Sequence, residues 1–188
     1  MKRLPKIAGE LIDRSEEVRF LFEGKPVLGY RGDTVTSALA ANGVRVLGRS
    51  FKYHRRRGIL SAADHDANTL MQVDAFERSV PNVRADVVPV ESGWQVSAVN
   101  TRGGLAHDRL AVLDRLSPFL PVGFYYKAFY NKRLFPRWER MFRRLSGLGT
   151  VDLRAGRRAT PKRYDFCDVL VIGAGPVSYT HLTLPTKA

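Results

Sequence analysis

An α+β fold is predicted for this chain, and three stretches predict it. Residues 18–47 alternate apolar and polar, turn, alternate again, and then switch to helical spacing. Three further short strand-like runs follow before residue 100. Much later, Asp168-Val169-Leu170-Val171-Ile172 leads into Gly173-Ala174-Gly175-Pro176, an apolar strand pattern ending in a glycine turn.

The first stretch is read element by element. Val18 to Phe22 alternates, Glu23-Gly24-Lys25-Pro26 turns the chain, and Val27 to Tyr30 pairs back as a β-hairpin. Asp33 is placed to cap the next helix by accepting hydrogen bonds from its first free N–H groups. That helix carries Val35, Ala38 and Leu39 on one face, and Asn42-Gly43 supplies a left-handed stop. Val44 to Leu47 is expected to return as a strand. Hairpin, helix and strand in this order open a β-grasp, or ferredoxin-like, domain. Its later strands are placed at Leu70 to Val73, Val83 to Val88 and Trp94 to Val99, with Pro81 and Ser92-Gly93 as punctuation. The domain is assigned to residues 14–100.

Residues 101–163 differ in character and are read as a linker with short helices. Pro118, Pro121 and Pro136 interrupt helical patterns. Phe119, Phe124, Tyr125, Tyr126, Phe129, Tyr130, Phe135, Trp138 and Phe142 make the segment aromatic, which points to core or subunit interface before it points to a cofactor box. From Gly147 to Arg163 the chain is glycine-rich and basic.

Composition narrows the class of function. The chain has 188 residues, 44% of them hydrophobic, enough for one modest core with appendages. No apolar run approaches the roughly 18 residues of a membrane span. The segment MKRLPKIAGELIDRSEE has no apolar centre, so it is no secretory signal, and a cytoplasmic location is expected. A single cysteine, Cys167, excludes an internal disulfide and an all-cysteine iron–sulfur or zinc site. It precedes a buried-strand pattern and is read as a small core residue rather than a redox centre. The balance of 31 Lys+Arg against 18 Asp+Glu gives a net charge of +13. The basic residues are spread, with clusters at residues 54–57, 132–133, 143–144 and 154–163, and no zinc-finger or helix-turn-helix pattern accompanies them. They are read first as solvated surface and docking patches.

Residues 164–177 are read as the first strand and turn of a Rossmann-type α/β domain. In such a fold the first glycine makes the tight turn, the second admits the pyrophosphate, and the third lets the helix pack on the strand. Gly173, Ala174, Gly175 and Pro176 are therefore the candidate cofactor-binding residues. The third glycine position holds Ser178. A working unit takes about 30 residues and an acidic residue about 20 further on, and neither fits between Gly173 and residue 188. Residues 178–188, ending SYTHLTLPTKA from position 178, resemble a translated adapter and are read as a non-native tail. No catalytic residue and no metal ligand is assigned.

The loop Gly48 to Leu60, GRSFKYHRRRGIL, follows the first helix. In plant-type ferredoxins this loop carries the cluster cysteines. Here Lys52, His54, Arg55, Arg56 and Arg57 stand in it, and cations cannot replace soft thiolate donors. The scaffold is therefore expected without a cluster. The arginines either grip a phosphate or carboxylate of a partner through their planar forks or pin a structural loop by ion pairs; both readings stay open.

Three segments in order, RGDTVTSALAANGVRVLGRSFKYHRRRGIL, LSPFLPVGFYYKAF and CDVLVIGAGP, resemble the N-terminal part of the alpha subunits of heterotetrameric sarcosine oxidase and of related flavin-linked amine and amino-acid oxidoreductases. The resemblance covers residues 14–176. It implies a parent enzyme that oxidatively demethylates sarcosine to glycine, with oxygen as acceptor and tetrahydrofolate taking the one-carbon unit. It implies NAD bound by the alpha subunit at the segment matching Gly173, Ala174, Gly175 and Pro176, FAD on the beta subunit, FMN between the two, and beta, gamma and delta partners. The match fails from Val177 onward, and Arg56 stands where the family more often has proline. This chain alone is then expected to be an inactive fragment with no cofactor bound. The alternative is a small basic protein that binds nucleic acid or another polyanion through residues 54–57, with affinity falling steeply in salt. Nucleic acid is not the partner expected under the first reading.

Overall fold

The computed structural model describes residues 3–61, 66–75, 78–119, 123, 131–145, 147–154 and 161–172. Chain contacts divide it into two compact units, Met1–Ala155 and Gly156–Ala188.

The first unit is built on β1 (Asp13–Phe22), β2 (Lys25–Arg31), α1 (Val35–Ala41), β3 (Gly48–Arg49), β4 (Arg56–Arg57), β5 (Leu70–Ala75), β6 (Arg78–Arg84), β7 (Gln95–Ala98) and α2 (Phe135–Leu145), with short 3-10 turns at Ala67–Thr69, Arg109–Asp114 and Ser117–Phe119. Five strands form one mixed sheet in the order β2-β1-β7-β5-β6, and β3 and β4 form a separate ribbon. The central pair, β1 and β7, is parallel; the other pairs of the large sheet are antiparallel. A mixed sheet with one helix laid on it is the α+β arrangement expected for a ferredoxin-like domain.

The hairpin forms because its two turn residues accept left-handed backbone. Glu23 has φ 50° and Gly24 φ 75°, the geometry whose twist matches that of the flanking strands. Phe20 and Phe22 point to the core while Arg19 and Leu21 do not. On the neighbouring strand Val27 and Gly29 face inward. A Cβ at Gly29 would stand 3.1 Å from the Ala38 Cβ, so glycine is what lets α1 lie close on the sheet. Val35, Ala38 and Leu39 then bury completely among Phe20, Val27, Leu47, Met71, Val73 and Val96.

The start of α1 differs from expectation by one residue. Thr34 is the N-cap: its extended backbone lets the side chain accept from the Ser37 amide at 3.1 Å. Asp33 is buried and does something else. It accepts from the Tyr30 amide (2.9 Å) and Ser37 Oγ (2.6 Å), and Arg3 Nη1 and Nη2 donate to its two oxygens at 3.0 and 2.6 Å. Burial alone would push this carboxyl up. The bonds from Arg3, Ser37 and the Tyr30 amide outweigh it and hold the group below the usual carboxylate range. Gly43 (φ 77°) closes the helix as the Asn-Gly signal requires.

Other differences have equally local causes. Residues 44–47 form no strand: Val44 N turns back to the Leu39 carbonyl at 3.0 Å, Leu47 N reaches the Arg57 carbonyl at 2.8 Å, and ladder pairing begins at β3. The strand expected from Val83 to Val88 lies earlier, as β6, and residues 85–87 turn. Pro81 sits inside β6 because β6 is an edge strand, where a missing N–H costs no ladder bond. The glycine-rich segment after α2 docks on the sheet: Thr150 N donates to Gln72 Oε1 at 2.9 Å, and side chains at Gly147 or Gly149 would overlap Asn100 or Gln72. Helix α2 gathers Phe135, Trp138, Met141 and Phe142 along one side; Phe135 and Met141 are exposed. Most of the aromatic run, residues 124–130, lies outside the described residues.

In the second unit, residues 161–172 form no helix or strand. The expected strand 168–172 is therefore absent, with Val169, Leu170 and Ile172 exposed, and Cys167 is exposed rather than a core residue. An apolar strand of this type becomes buried only when neighbours cover both its edges and both its faces. Gly173, Ala174, Gly175, Pro176 and the tail 178–188 lie outside the described residues.

Candidate functional site

The loop between β3 and β4 and the segment 100–115 make one polar clasp. Ser50 and Arg55 close the loop across its base, with Ser50 N donating to the Arg55 carbonyl at 2.8 Å. Inside it His54 adopts φ 53°, an uncommon left-handed conformation for a non-glycine residue, and is 3% exposed. Its Nδ1 lies 2.6 Å from Asp108 Oδ2. The other Asp108 oxygen accepts from the Arg102 and Leu110 amides at 2.9 and 3.1 Å. One buried carboxylate thus ties the loop to the entry of the Arg109–Asp114 turn, which it also caps.

Two more side chains complete the clasp. Arg49 donates from Nη1 to the His54 carbonyl (3.0 Å) and from Nε and Nη2 to the Leu105 carbonyl (3.2 and 2.7 Å). Asn100 Nδ2 donates to the Ser50 carbonyl at 2.8 Å. At the surface Arg55 Nε meets Asp114 Oδ1 at 2.6 Å, with about half of each side chain exposed. Such a pair is worth roughly 0–1 kcal/mol, whereas the buried His54–Asp108 contact is costly to break.

The basic cluster read from the sequence is therefore divided. His54 and Arg55 are engaged within the chain, Lys52 and Arg55 also stand over the Tyr53 ring, and Arg56 and Arg57 are exposed. Beside His54 opens a groove of about 870 Å³ whose lining includes Gln72, Ser97, Asn100, Arg102 and Arg109. Sequence reasoning missed Asp108, Arg49 and Asn100. Asp108 did leave a signal, an acidic residue directly before Arg109-Leu110-Ala111-Val112, the pattern of a helical cap.

Residues 15–101 match a family described as a 2Fe-2S iron-sulfur cluster binding domain. A cluster of that kind is held by cysteine thiolates, or in one variant by two cysteines and two histidines. Residues 15–101 contain no cysteine, and Cys167 lies outside them. His54, the histidine in the loop, is turned to Asp108. The donor set does not fit a cluster, and among the described residues no group of three or more His, Cys, Asp or Glu side chains is placed to hold a metal ion. No described helix is long and apolar enough to cross a membrane.

Over most of its length the chain is similar to curated proteins named sarcosine oxidase subunit alpha. The protein from Rhizobium meliloti (strain 1021) is 44% identical over 178 residues, covering 93% of this chain and 18% of the relative. Those from Corynebacterium sp. strains U-96 and P-1 are 30% and 40% identical, covering 90% and 55% of this chain and 13% and 10% of theirs. The chain thus spans less than a fifth of the length of these relatives. Among solved structures, L-proline dehydrogenase from P.horikoshii matches with a TM-score of 0.37 at 26% identity, covering 46% of this chain and 16% of that one.

Proposed function

Because the chain belongs to the family of sarcosine oxidase alpha subunits, we propose that it serves as the N-terminal portion of such a subunit, in an oxidoreductase that demethylates sarcosine to glycine. The observation that carries this reading is 44% identity sustained over 93% of the chain. In it the ferredoxin-like domain is a scaffold and a docking element, not a redox carrier. The His54–Asp108 and Arg49–Leu105 contacts order the loop that a metal cluster orders in ferredoxins, and they do so with groups that cannot exchange electrons.

The complete assembly in this reading joins beta, gamma and delta subunits. FAD lies on beta, FMN between alpha and beta, and tetrahydrofolate on alpha. Gly173, Ala174, Gly175 and Pro176 belong to the pyrophosphate turn for NAD, which supplies a redox-active nicotinamide when bound. The alternative of a polyanion-binding cluster at residues 54–57 is weakened, since His54 and Arg55 already have acidic partners.

A chimera tests the reading. Residues 1–172 of this chain replace the matching segment of the Rhizobium meliloti alpha subunit, which is expressed with its partner subunits. The hybrid is expected to assemble and consume oxygen on addition of sarcosine. A hybrid alpha chain that is soluble yet fails to co-purify with its partners refutes the assignment.

A further inference from the structure

A further cavity, of about 780 Å³, opens between the hairpin turn and the 103–107 loop, within the usual range of small-ligand sites. Its floor is apolar: Phe22, Val27 and Leu105 are buried, and Val44 and Val46 form a half-buried wall. Its rim is basic, with Lys25, Arg56 and His107 exposed around it.

Two exposed cationic side chains, Lys25 and Arg56, stand against one carboxylate in this lining. Glu23 is the single carboxylate among the described lining residues, and its two oxygens are already taken, accepting from the Ala98 amide at 2.8 Å and the Leu105 amide at 2.9 Å. Among the described residues Lys25, Arg56 and His107 have no acidic partner. By contrast Arg3, Arg49, Arg55 and Arg84 are all engaged within the chain. The wall is also held in place before any ligand arrives. Glu23 fixes Leu105 from one side and Arg49 fixes its carbonyl from the other, while Gly103 and Gly104 take φ values of 99° and 88° that favour glycine. A preformed apolar floor beneath the exposed Lys25 and Arg56 is complementary to one kind of molecule: an anion joined to a hydrocarbon body. The apolar part gains from leaving water, and the charge meets donors that a neutral or cationic head would not use.

We propose that this cavity binds a small organic acid, a carboxylate carried on an aliphatic or aromatic body. The cavity shares the 103–107 segment with the clasp but not its His54–Asp108 contact, and the proposal stands whether or not the family function proposed above holds.

The probe is octanoate, titrated into the 188-residue chain and followed by calorimetry and by amide chemical shifts. Saturable binding is expected, with the largest shifts at Lys25, Gly103, Gly104 and Leu105. Octylamine, with the same body and the opposite charge, and acetate, with the same charge and almost no body, are each expected to bind at least tenfold more weakly. The double variant Lys25→Glu/Arg56→Glu, both positions exposed, is expected to weaken octanoate at least tenfold. The control Arg78→Glu/Arg137→Glu changes net charge equally but lies off the cavity, and is expected to leave the affinity within twofold. Equal binding of octanoate and octylamine overturns the proposal. So do shifts centred elsewhere, or equal weakening by the two double variants, which reduces the effect to the chain's overall +13 charge.

Discussion

Replacing Asp108 by alanine tests the clasp most directly. The side chain is fully buried and serves three donors: His54 Nδ1 at 2.6 Å, the Arg102 amide at 2.9 Å and the Leu110 amide at 3.1 Å. Alanine leaves all three without an acceptor, in a place where water reaches them poorly. Leaving a buried donor without its acceptor costs about 1–3 kcal/mol, so three such losses are a large share of a domain stability of roughly 5–15 kcal/mol. Asp108→Asn keeps an oxygen for the two amides but sets an NH2 donor where Oδ2 faced His54 Nδ1, so it loses that one contact and a smaller cost of about 1–3 kcal/mol is expected. The assay is urea unfolding followed by far-ultraviolet circular dichroism. A double-mutant cycle with His54→Ala isolates the pair. Alanine at φ 53° carries the left-handed backbone cost that histidine already carries there, and any remaining difference enters both legs of the cycle and cancels. The expected coupling is about 1.5–3 kcal/mol. If Asp108→Ala costs under about 1 kcal/mol, or the coupling vanishes, the clasp is not what orders the loop.

Three further outcomes are expected. Arg3→Ala removes a part-buried pair of bonds to Asp33 and costs about 1.5–3 kcal/mol at pH 7. The Asp33 carboxyl is held below its unfolded value, so its contribution is complete above about pH 4 and fades as pH falls through the folded value; unfolding curves of parent and variant should converge in acid, and a constant gap from pH 7 to pH 2 refutes the linkage. Leu39→Ala empties a fully buried position between α1 and the sheet and is expected to cost about 2–5 kcal/mol in the same denaturation assay. Thr34→Ala removes the cap on the Ser37 amide at a cost of about 1 kcal/mol, and no change in midpoint would return the capping role to Asp33.

The parts of the fold legible in advance share one property: their cause lies within a few residues. Glu23-Gly24 makes a hairpin turn and Asn42-Gly43 stops a helix through backbone preferences that act locally. Where two neighbours compete for one role, locality is not enough. Asp33 and Thr34 both have the chemistry of a cap, and Arg3, 30 residues away, takes Asp33 for itself. Likewise Val44 to Leu47 has strand composition, but composition supplies no partner strand, and only Leu47 finds one. The apolar run 168–172 makes the same point, since a pattern suited to a covered strand stays exposed without the elements that cover it.

The site divides along the same line. That residues 15–101 supply no thiolate for an iron–sulfur cluster was already determined by the sequence, because the single cysteine is at 167. The order of hairpin, helix and returning strands was determined there too, by turn chemistry and by the change of period from two to three and a half or so. Only the tertiary structure decided which basic residues are engaged and which are left for a ligand. Pairing His54 with Asp108 spans 54 residues and holding the Leu105 carbonyl with Arg49 spans 56. Contacts at such separation depend on how the sheet and its loops pack in space, and no residue's near neighbours along the chain encode that distance.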